Sequence, residues 1–356
     1  MVAAEIIAVG MVTPVGLEAA PAAAAVRAGI TRLNESKVRG KEGEPLVMGL
    51  VKEEYLLPLA PALAKRSSLT AHSRRLLQLA APALQEALGP SPDPAAIPVF
   101  LGLREPWPDL PAAAGADFLK HLEHQAQKAF AVSRSKVFPQ GRASGLVALE
   151  QALKLLSSDR NTPFVVVGGV DSYLEPALLA RLEAEGRIPS GLITDGFIPG
   201  EGAAFLLLAR PGQARRLGLA SLAGVAGVGL GEEKGHRYST EPYLGEGLAG
   251  AFAQLFAQME APSAIRCVYT GLNGESFWAK EWGVAYLRNA KRFAEDVRIE
   301  HPVQNFGDPG AALGPLMVGL AAIGLQRGYR EEPCLIWCSS DRETRGAVLV
   351  SGGPAK

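Results

Sequence analysis

The sequence predicts an α/β protein built from two duplicated halves, and three observations carry that prediction. Pro163 to Val170, PFVVVGGV, is a short β-branched run ending in Gly-Gly, the composition of a strand covered on both faces. From Val137 the chain reads as a strand end that turns at Gly141, Ser144 and Gly145 into Leu146, Leu149, Ala152, Leu153 and Leu156 at helical spacing. The second half repeats the order: Leu222 to Leu230 reads as an opening strand, Pro309 to Leu325 as a small-residue turn with its helix, and Gly346 to Ser351 as a closing strand. Pro211 to Arg216 is the expected joint, giving halves of residues 1–210 and 211–356.

Taken in order, Glu5 to Val9 is an apolar strand ending at Gly10 before a VTPVG turn, and Glu18 to Ala28 is an Ala-rich helix. Asn34 to Ala64 is poorly patterned and reads as loop. His72 to Ala87 sets Leu76, Leu77, Leu79, Ala80 and Leu84 on one helical face, and Ile97 to Leu101 is a second strand. Arg104 to Pro111, with three prolines and a tryptophan, is irregular. A helix follows from about Ala116 to Ala129, with His121 and His124 on one face. Two His at that spacing could hold a metal, but no third ligand accompanies them, so a solvated face is expected and neither metal nor cofactor is implied. Thr194 to Leu208, TDGFIPGEGAAFLLL, is a Gly-rich bend followed by a long apolar strand.

The 356 residues, 48% hydrophobic with 40 Gly and 26 Pro, suit a compact, loop-rich molecule of one or two domains. Lys plus Arg and Asp plus Glu both number 36, so the balance points to neither nucleic acid nor an anionic membrane as partner, while leaving room for a local basic patch. Cys267, Cys334 and Cys338 form an odd set without paired metal spacing and read as buried, inert thiols. The opening MVAAEIIAVG lacks the pattern of a signal peptide, and no stretch reaches the ~20 apolar residues of a membrane span, so a cytoplasmic location is expected.

The corner at Gly141 is where chemistry belongs. Backbone N–H groups at a helix start are unpaired and partly positive, so they favour an anionic nucleophile and a developing oxyanion. The residue at the tip is Arg142. Ser144, two residues into the helix, could act as a nucleophile instead, but no His is placed by sequence to activate it.

These stretches resemble the β-ketoacyl synthases, condensing enzymes of the thiolase superfamily. Asp195, Gly196, Phe197, Gly200, Glu201, Gly202 and Ala203 agree in register with that family's DGFVxGEGA hairpin, and Ala143, Ser144 and Gly145 with its Cys-small-small-Gly turn. The resemblance implies a five-layered thiolase-like αβαβα fold and puts Arg142 where the family has its nucleophilic Cys. A guanidinium stays protonated and cannot attack a thioester. The family's first catalytic His aligns with Thr270, by Gly271 and by Glu281 eleven residues on; its second falls on Gly307 without a gap, or on Asp308 with one deletion. His301 is read as structural. The family's FGFGG gate is replaced by CSSDRETRGAVLV, whose Asp341 to Arg345 read as a solvated turn.

The resemblance therefore implies a ketosynthase-like protein without condensing activity, acting as a non-catalytic partner or as an acyl-chain or assembly subunit. By the same analogy a homodimer, or a heterodimer with an active ketosynthase, is expected through Val132 to Phe138, with an acyl carrier protein as a further candidate partner. One alternative is an active acyltransferase or thioesterase of this fold with a relocated nucleophile. Another is an assembly component without a link to lipid chemistry. A cation at a helix start in a cavity needs a counter-charge, so an Arg142–Asp308 ion pair is expected, unless a shifted turn sends Arg142 outward into solvent.

Overall fold

The computed structural model describes residues 2–108, 110–190, 194–259 and 264–353. The first half runs β1 (Ala4–Val12), α1 (Ala19–Arg27), β2 (Asn34–Arg39), β3 (Pro45–Met48), α2 (Pro61–Ala64), α3 (Ala71–Leu88) and β4 (Val99–Leu103). It continues with α4 (Phe118–Ala126), β5 (Lys136–Pro139), α5 (Ser144–Ser158), β6 (Phe164–Ser172), α6 (Pro176–Ala184) and β7 (Glu201–Ala209). The second half runs α7 (Gln213–Arg216), β8 (Ala223–Glu232), α8 (Glu246–Ala257), β9 (Ile265–Tyr269), α9 (Ser276–Arg288) and β10 (Phe293–Glu300). It closes with α10 (Val303–Phe306), α11 (Leu313–Gln326), β11 (Cys334–Ser339) and β12 (Thr344–Gly352).

Ten strands form one sheet in the order β10-β9-β11-β12-β8-β1-β7-β6-β4-β5. The two ends of that order repeat each other. β1 pairs antiparallel with β7, β7 antiparallel with β6, and β6 parallel with β4, which is parallel to β5. β8, β12, β11, β9 and β10 show the same succession of senses. The halves join edge to edge where Ala4, Glu5 and Ile6 face Val225, Gly224 and Ala223.

Strand parity shows the layers, because successive side chains leave opposite faces. Val165 and Val167 of β6 join Ile336 of β11 and Val348 of β12 in a central core with Leu146 and Leu149 of α5 and Leu316 and Leu320 of α11. The alternate residues Phe164 and Val166 pack outward on Leu76, Leu77 and Leu84 of α3 and Leu122 of α4. On the other side, Leu335, Trp337 and Leu349 pack on Leu248, Phe252 and Leu255 of α8. The result is helix, sheet, helix, sheet, helix, with α5 and α11 in the middle. That placement explains why α11 is apolar all round: twelve of its residues are buried, so no polar stripe is possible.

Two expectations are corrected. Asn34 to Ala64 is not loop: β2 and β3 form a hairpin and α2 follows. β2 has a single apolar residue, the half-buried Val38, so its sequence carries no alternation to read, while Leu46 and Met48 of β3 anchor the hairpin in a small satellite core. Gly10 does not end β1, which runs on to Val12. Gly10 is where α3 crosses the strand at backbone contact: a Cβ there would lie 1.9 Å from the Ala83 carbonyl oxygen. Within Pro211 to Arg216 the chain forms the short helix α7, whose Gly212 and Ala214 amides donate to the buried Glu5 carboxylate at 3.1 and 3.2 Å.

Gly10→Ala is expected to lower the unfolding free energy by about 3 kcal/mol, because neither the strand nor α3 can move away from the new methyl. Gly250→Ala in α8, where a Cβ meets open space, is expected to raise it by about 0.5–1 kcal/mol. Urea unfolding of the two variants checks both.

Candidate functional site

A single 3₁₀ turn, Gly141–Ala143, leads into α5. Gly141 has φ +72°, a conformation that glycine adopts without strain. Arg142 does not point into solvent. It is buried, its Nε donates to the Ser339 carbonyl at 2.9 Å, its Nη1 donates to Asp308 Oδ2 at 2.9 Å, and its guanidinium lies 4.4 Å from the Trp278 ring centre. The expected ion pair is present. Burial works against the charge, but Asp308, Asp341, Tyr173 and Glu275 together outweigh it and hold the guanidinium protonated.

Asp308 is fixed by its backbone before its side chain is considered. Its amide donates to Ile198 O at 2.8 Å and its carbonyl accepts from Gly200 at 2.9 Å, which ties it to the DGFIPGEGA bend. Oδ1 accepts the Gly310 amide at 2.9 Å, and Oδ2 accepts Asn273 Nδ2 at 2.9 Å as well as Arg142. Gly307 stands beside it at φ +77° with no side chain to offer, so the residue facing Arg142 is Asp308.

Thr270 makes its contacts elsewhere. Its buried hydroxyl lies 3.2 Å from Glu300 O and 2.8 Å from His301 Nδ1. The residue from this loop that reaches Asp308 is Asn273, three positions on, which nothing in the local pattern singles out beyond its place between Leu272 and Gly274. His301 is half-buried, and burial lowers its pKa below the usual imidazole value.

The stretch Asp341 to Arg345 is the clearest correction: Glu343 is exposed as expected of a solvated turn, but Asp341 and Arg345 at its two ends are buried. Asp341 receives two hydrogen bonds from Arg187, at 2.7 and 3.0 Å, and the same guanidinium donates to both Glu275 oxygens at 2.8 and 2.9 Å. Arg345 and Glu281 form a fully buried pair at 2.7 Å, and Ser339 donates to Glu281. These charges read as solvated because their partners lie 154 and 64 residues away in the chain. Burial pushes the Asp341 and Glu275 carboxyls up, and Arg187 pulls both below the ordinary range. Neighbouring Glu105 has only a longer contact of this kind, Arg342 at 3.8 Å, and burial, then Asp341, raise its pKa.

The helix start is also occupied. The Ala143 amide, a donor that an oxyanion would need, donates instead to Ser340 Oγ at 3.0 Å, and Ser340 in turn donates to the Gln140 carbonyl. What space remains among Arg142, Glu105, Asp171, Tyr173 and Asp341 amounts to about 10 Å³, no more than about one water's worth. Ser144 Oγ is buried with no hydrogen-bond partner and no His beside it. The three thiols are buried and unbridged, and burial raises that of Cys338. His121 sits at 3.0 Å from Arg66 Nη1 on the α4 surface, and no group of three potential metal ligands occurs among the described residues.

No protein-family model matches the chain, and no curated protein matches it in sequence. Solved structures do match in shape. A type II polyketide synthase acyl-carrier protein in complex with its ketosynthase bound to the hexaketide aligns at TM-score 0.77 and 15% identity over 99% of both chains. The ishigamide ketosynthase/chain length factor aligns at 0.76 and 14%, again over 99% of both. The ketosynthase from module 6 of the bacillaene synthase from Bacillus subtilis 168 aligns at 0.80 and 13%, over 99% of this chain and 72% of that one. The chain has the thiolase-like fold of ketosynthases and chain length factors.

Asp308→Ala leaves Arg142 buried without its counter-charge and is expected to cost about 3–5 kcal/mol, whereas Arg142→Met combined with Asp308→Leu is expected to recover most of the loss. Denaturant unfolding of the singles and the double checks this. The pH dependence has a definite sign. Burial raises Asp171, whose carboxylate accepts the Ser172 and Ala311 amides at 2.9 and 3.1 Å, from 3.8 to about 6. The folded state keeps a proton that the unfolded chain releases, so this contribution is complete below the ordinary aspartate value and lost as pH rises through about 6. Asp171→Asn is expected to flatten the fall in stability measured by urea unfolding from about pH 4 to about pH 7.

Proposed function

We propose that the chain is a ketosynthase-like protein without condensing activity, which serves as a non-catalytic partner or as an acyl-chain or assembly subunit. The single observation that supports this is the Arg142–Asp308 pair at 2.9 Å, standing at the nucleophile corner beside only about 10 Å³ of space. Arg142, Thr270 and Asp308 are proposed as degenerate counterparts of the family's Cys-His-His set. Neither a guanidinium, a threonine hydroxyl nor a paired carboxylate replaces a thiolate with two imidazoles. The proposal includes the division into halves at residues 210 and 211 and a cytoplasmic location; no helix among the described residues is long and apolar enough to cross a membrane.

The proposed dimer surface is the sheet edge at β5, Lys136–Pro139, where Val137 is 38% exposed and one side of the strand has no neighbour. The partner is a second copy or an active ketosynthase, in line with neighbours described as a ketosynthase/chain length factor and as a ketosynthase with its acyl-carrier protein. A second reading, acyl transfer or hydrolysis by a relocated nucleophile, has one observation in its favour. Thr270 Oγ1 lies 2.8 Å from His301 Nδ1, and His301 lines a largely apolar cavity of about 420 Å³ with Leu33, Ile198, Leu272 and Asn273. Against it, Thr270 itself has no exposed surface.

Incubation with acyl-loaded carrier protein and with acyl-CoA, followed by intact mass, is expected to show the chain unmodified. An acyl adduct on the wild type that disappears in Thr270→Val would replace the main reading with the second. Light scattering after size exclusion is expected to give a dimer, alone or with a ketosynthase, that Val137→Pro weakens by about tenfold or more through loss of an edge donor.

A further inference from the structure

The C-terminal ends of α1 and α11 converge on a cleft of about 300 Å³ walled by Ala23, Ala24, Arg27, Ala28, Arg327 and Tyr329. Two of the six are arginines and none is acidic. Both helices end in the same way. Gly29 and Gly328, each at φ +69°, donate to Val26 O at 3.1 Å and Leu325 O at 3.0 Å, and the next amides, Ile30 and Tyr329, donate to Ala25 O and Gly324 O at 3.0 Å. The terminal carbonyls that most need donors are thus met by backbone.

Neither guanidinium is used on those carbonyls. Among the described residues the guanidiniums of Arg27 and Arg327 make no hydrogen bond or ion pair with the rest of the chain, and that of Arg27 stacks at 4.4 Å over the Tyr329 ring. Arg330, 5.1 Å from the same ring, differs: it is paired with Glu300 at 2.9 Å and with the Tyr269 hydroxyl at 3.1 Å. In a molecule with no net charge, two exposed arginines without carboxylates across one concave surface are a local positive excess suited to an outside anion.

We propose that this cleft binds a phosphate-type oxyanion, held between the Arg27 and Arg327 guanidiniums against the Tyr329 side. Two planar forks present more N–H donors than the two oxygens of a carboxylate can accept, and the three terminal oxygens of a phosphate or phosphomonoester engage both. The methyl groups of Ala24 and Ala28 add an uncharged wall, and the volume leaves room for a few atoms beyond the phosphorus group. At ~1.5 Å per residue the 14 residues of α11 set the cleft ~20 Å from the turn at Gly310, so the site stands whether or not the Arg142 corner is inactive.

Calorimetric titration of the full chain with inorganic phosphate and with glycerol 3-phosphate, and with acetate at matched ionic strength, tests it. One saturable site for a phosphate species is expected, with acetate much weaker. Tighter binding of the ester identifies a phosphorylated small molecule as the source, tighter binding of the inorganic ion identifies free phosphate, and either supports the site. Arg27→Ala and Arg327→Ala are each expected to weaken binding by about tenfold or more, and the exposed Arg215→Ala to leave it unchanged. In the unmutated protein, phosphate is expected to protect Arg27 and Arg327, but not Arg215, from phenylglyoxal, read by peptide mass. Absence of saturable binding, equal binding of acetate, or undiminished affinity in the Arg27→Ala, Arg327→Ala double variant would overturn the proposal.

Discussion

A guanidinium buried at the start of a helix is opposed twice, by the partial positive charge of the helix and by the loss of water, and everything around Arg142 answers that opposition. Asp308 supplies the counter-charge, the Ser339 carbonyl accepts Nε, and the Trp278 face lies against the planar cation. Asp308 in turn can hold this position only because its amide and carbonyl are tied to Ile198 and Gly200 and because Asn273 and Gly310 share its carboxylate. The Gly-rich bend, the second-half turn and the corner therefore form one polar assembly, each part of which would be costly to bury alone.

The same logic extends outward through Arg187, which joins Glu275 to Asp341, and through Arg345 with Glu281. A condensing site needs room for an acyl group and amides free to receive an oxyanion. Here the room is filled by paired charges and the Ala143 amide is taken by Ser340. The arginine at the corner and the closed space around it are physically linked, since an arginine in an open, unpartnered cavity would gain by turning toward water.

Much of the fold was legible because it is written in local pattern. The β-branched run at Pro163 to Val170, the helix after Gly145 and the DGFIPGEGA bend each declare themselves within about a dozen residues, and β6, α5 and β7 lie where they point. The β2–β3 hairpin was not legible, because a strand whose one apolar residue is Val38 has no alternation. At the site, Arg142 and Asp308 could be matched because a buried charge requires another and the family resemblance, read with one deletion, set Asp308 opposite. Arg187, Glu275, Asn273 and Ser340 could not, since each is an ordinary polar residue until the chain brings its partner close, and a run such as Asp341 to Arg345 looks the same whether it meets water or buried arginines.

The 166 residues between Arg142 and Asp308 bear on how the protein comes into being. Translation delivers the cation long before its carboxylate, so the emerging N-terminal portion carries an uncompensated charge on the very surface destined for the molecule's middle. Dehydrating that surface costs less once Asp308 is in place, which ties the packing of α5 against α11 to the pairing of Arg142 with Asp308.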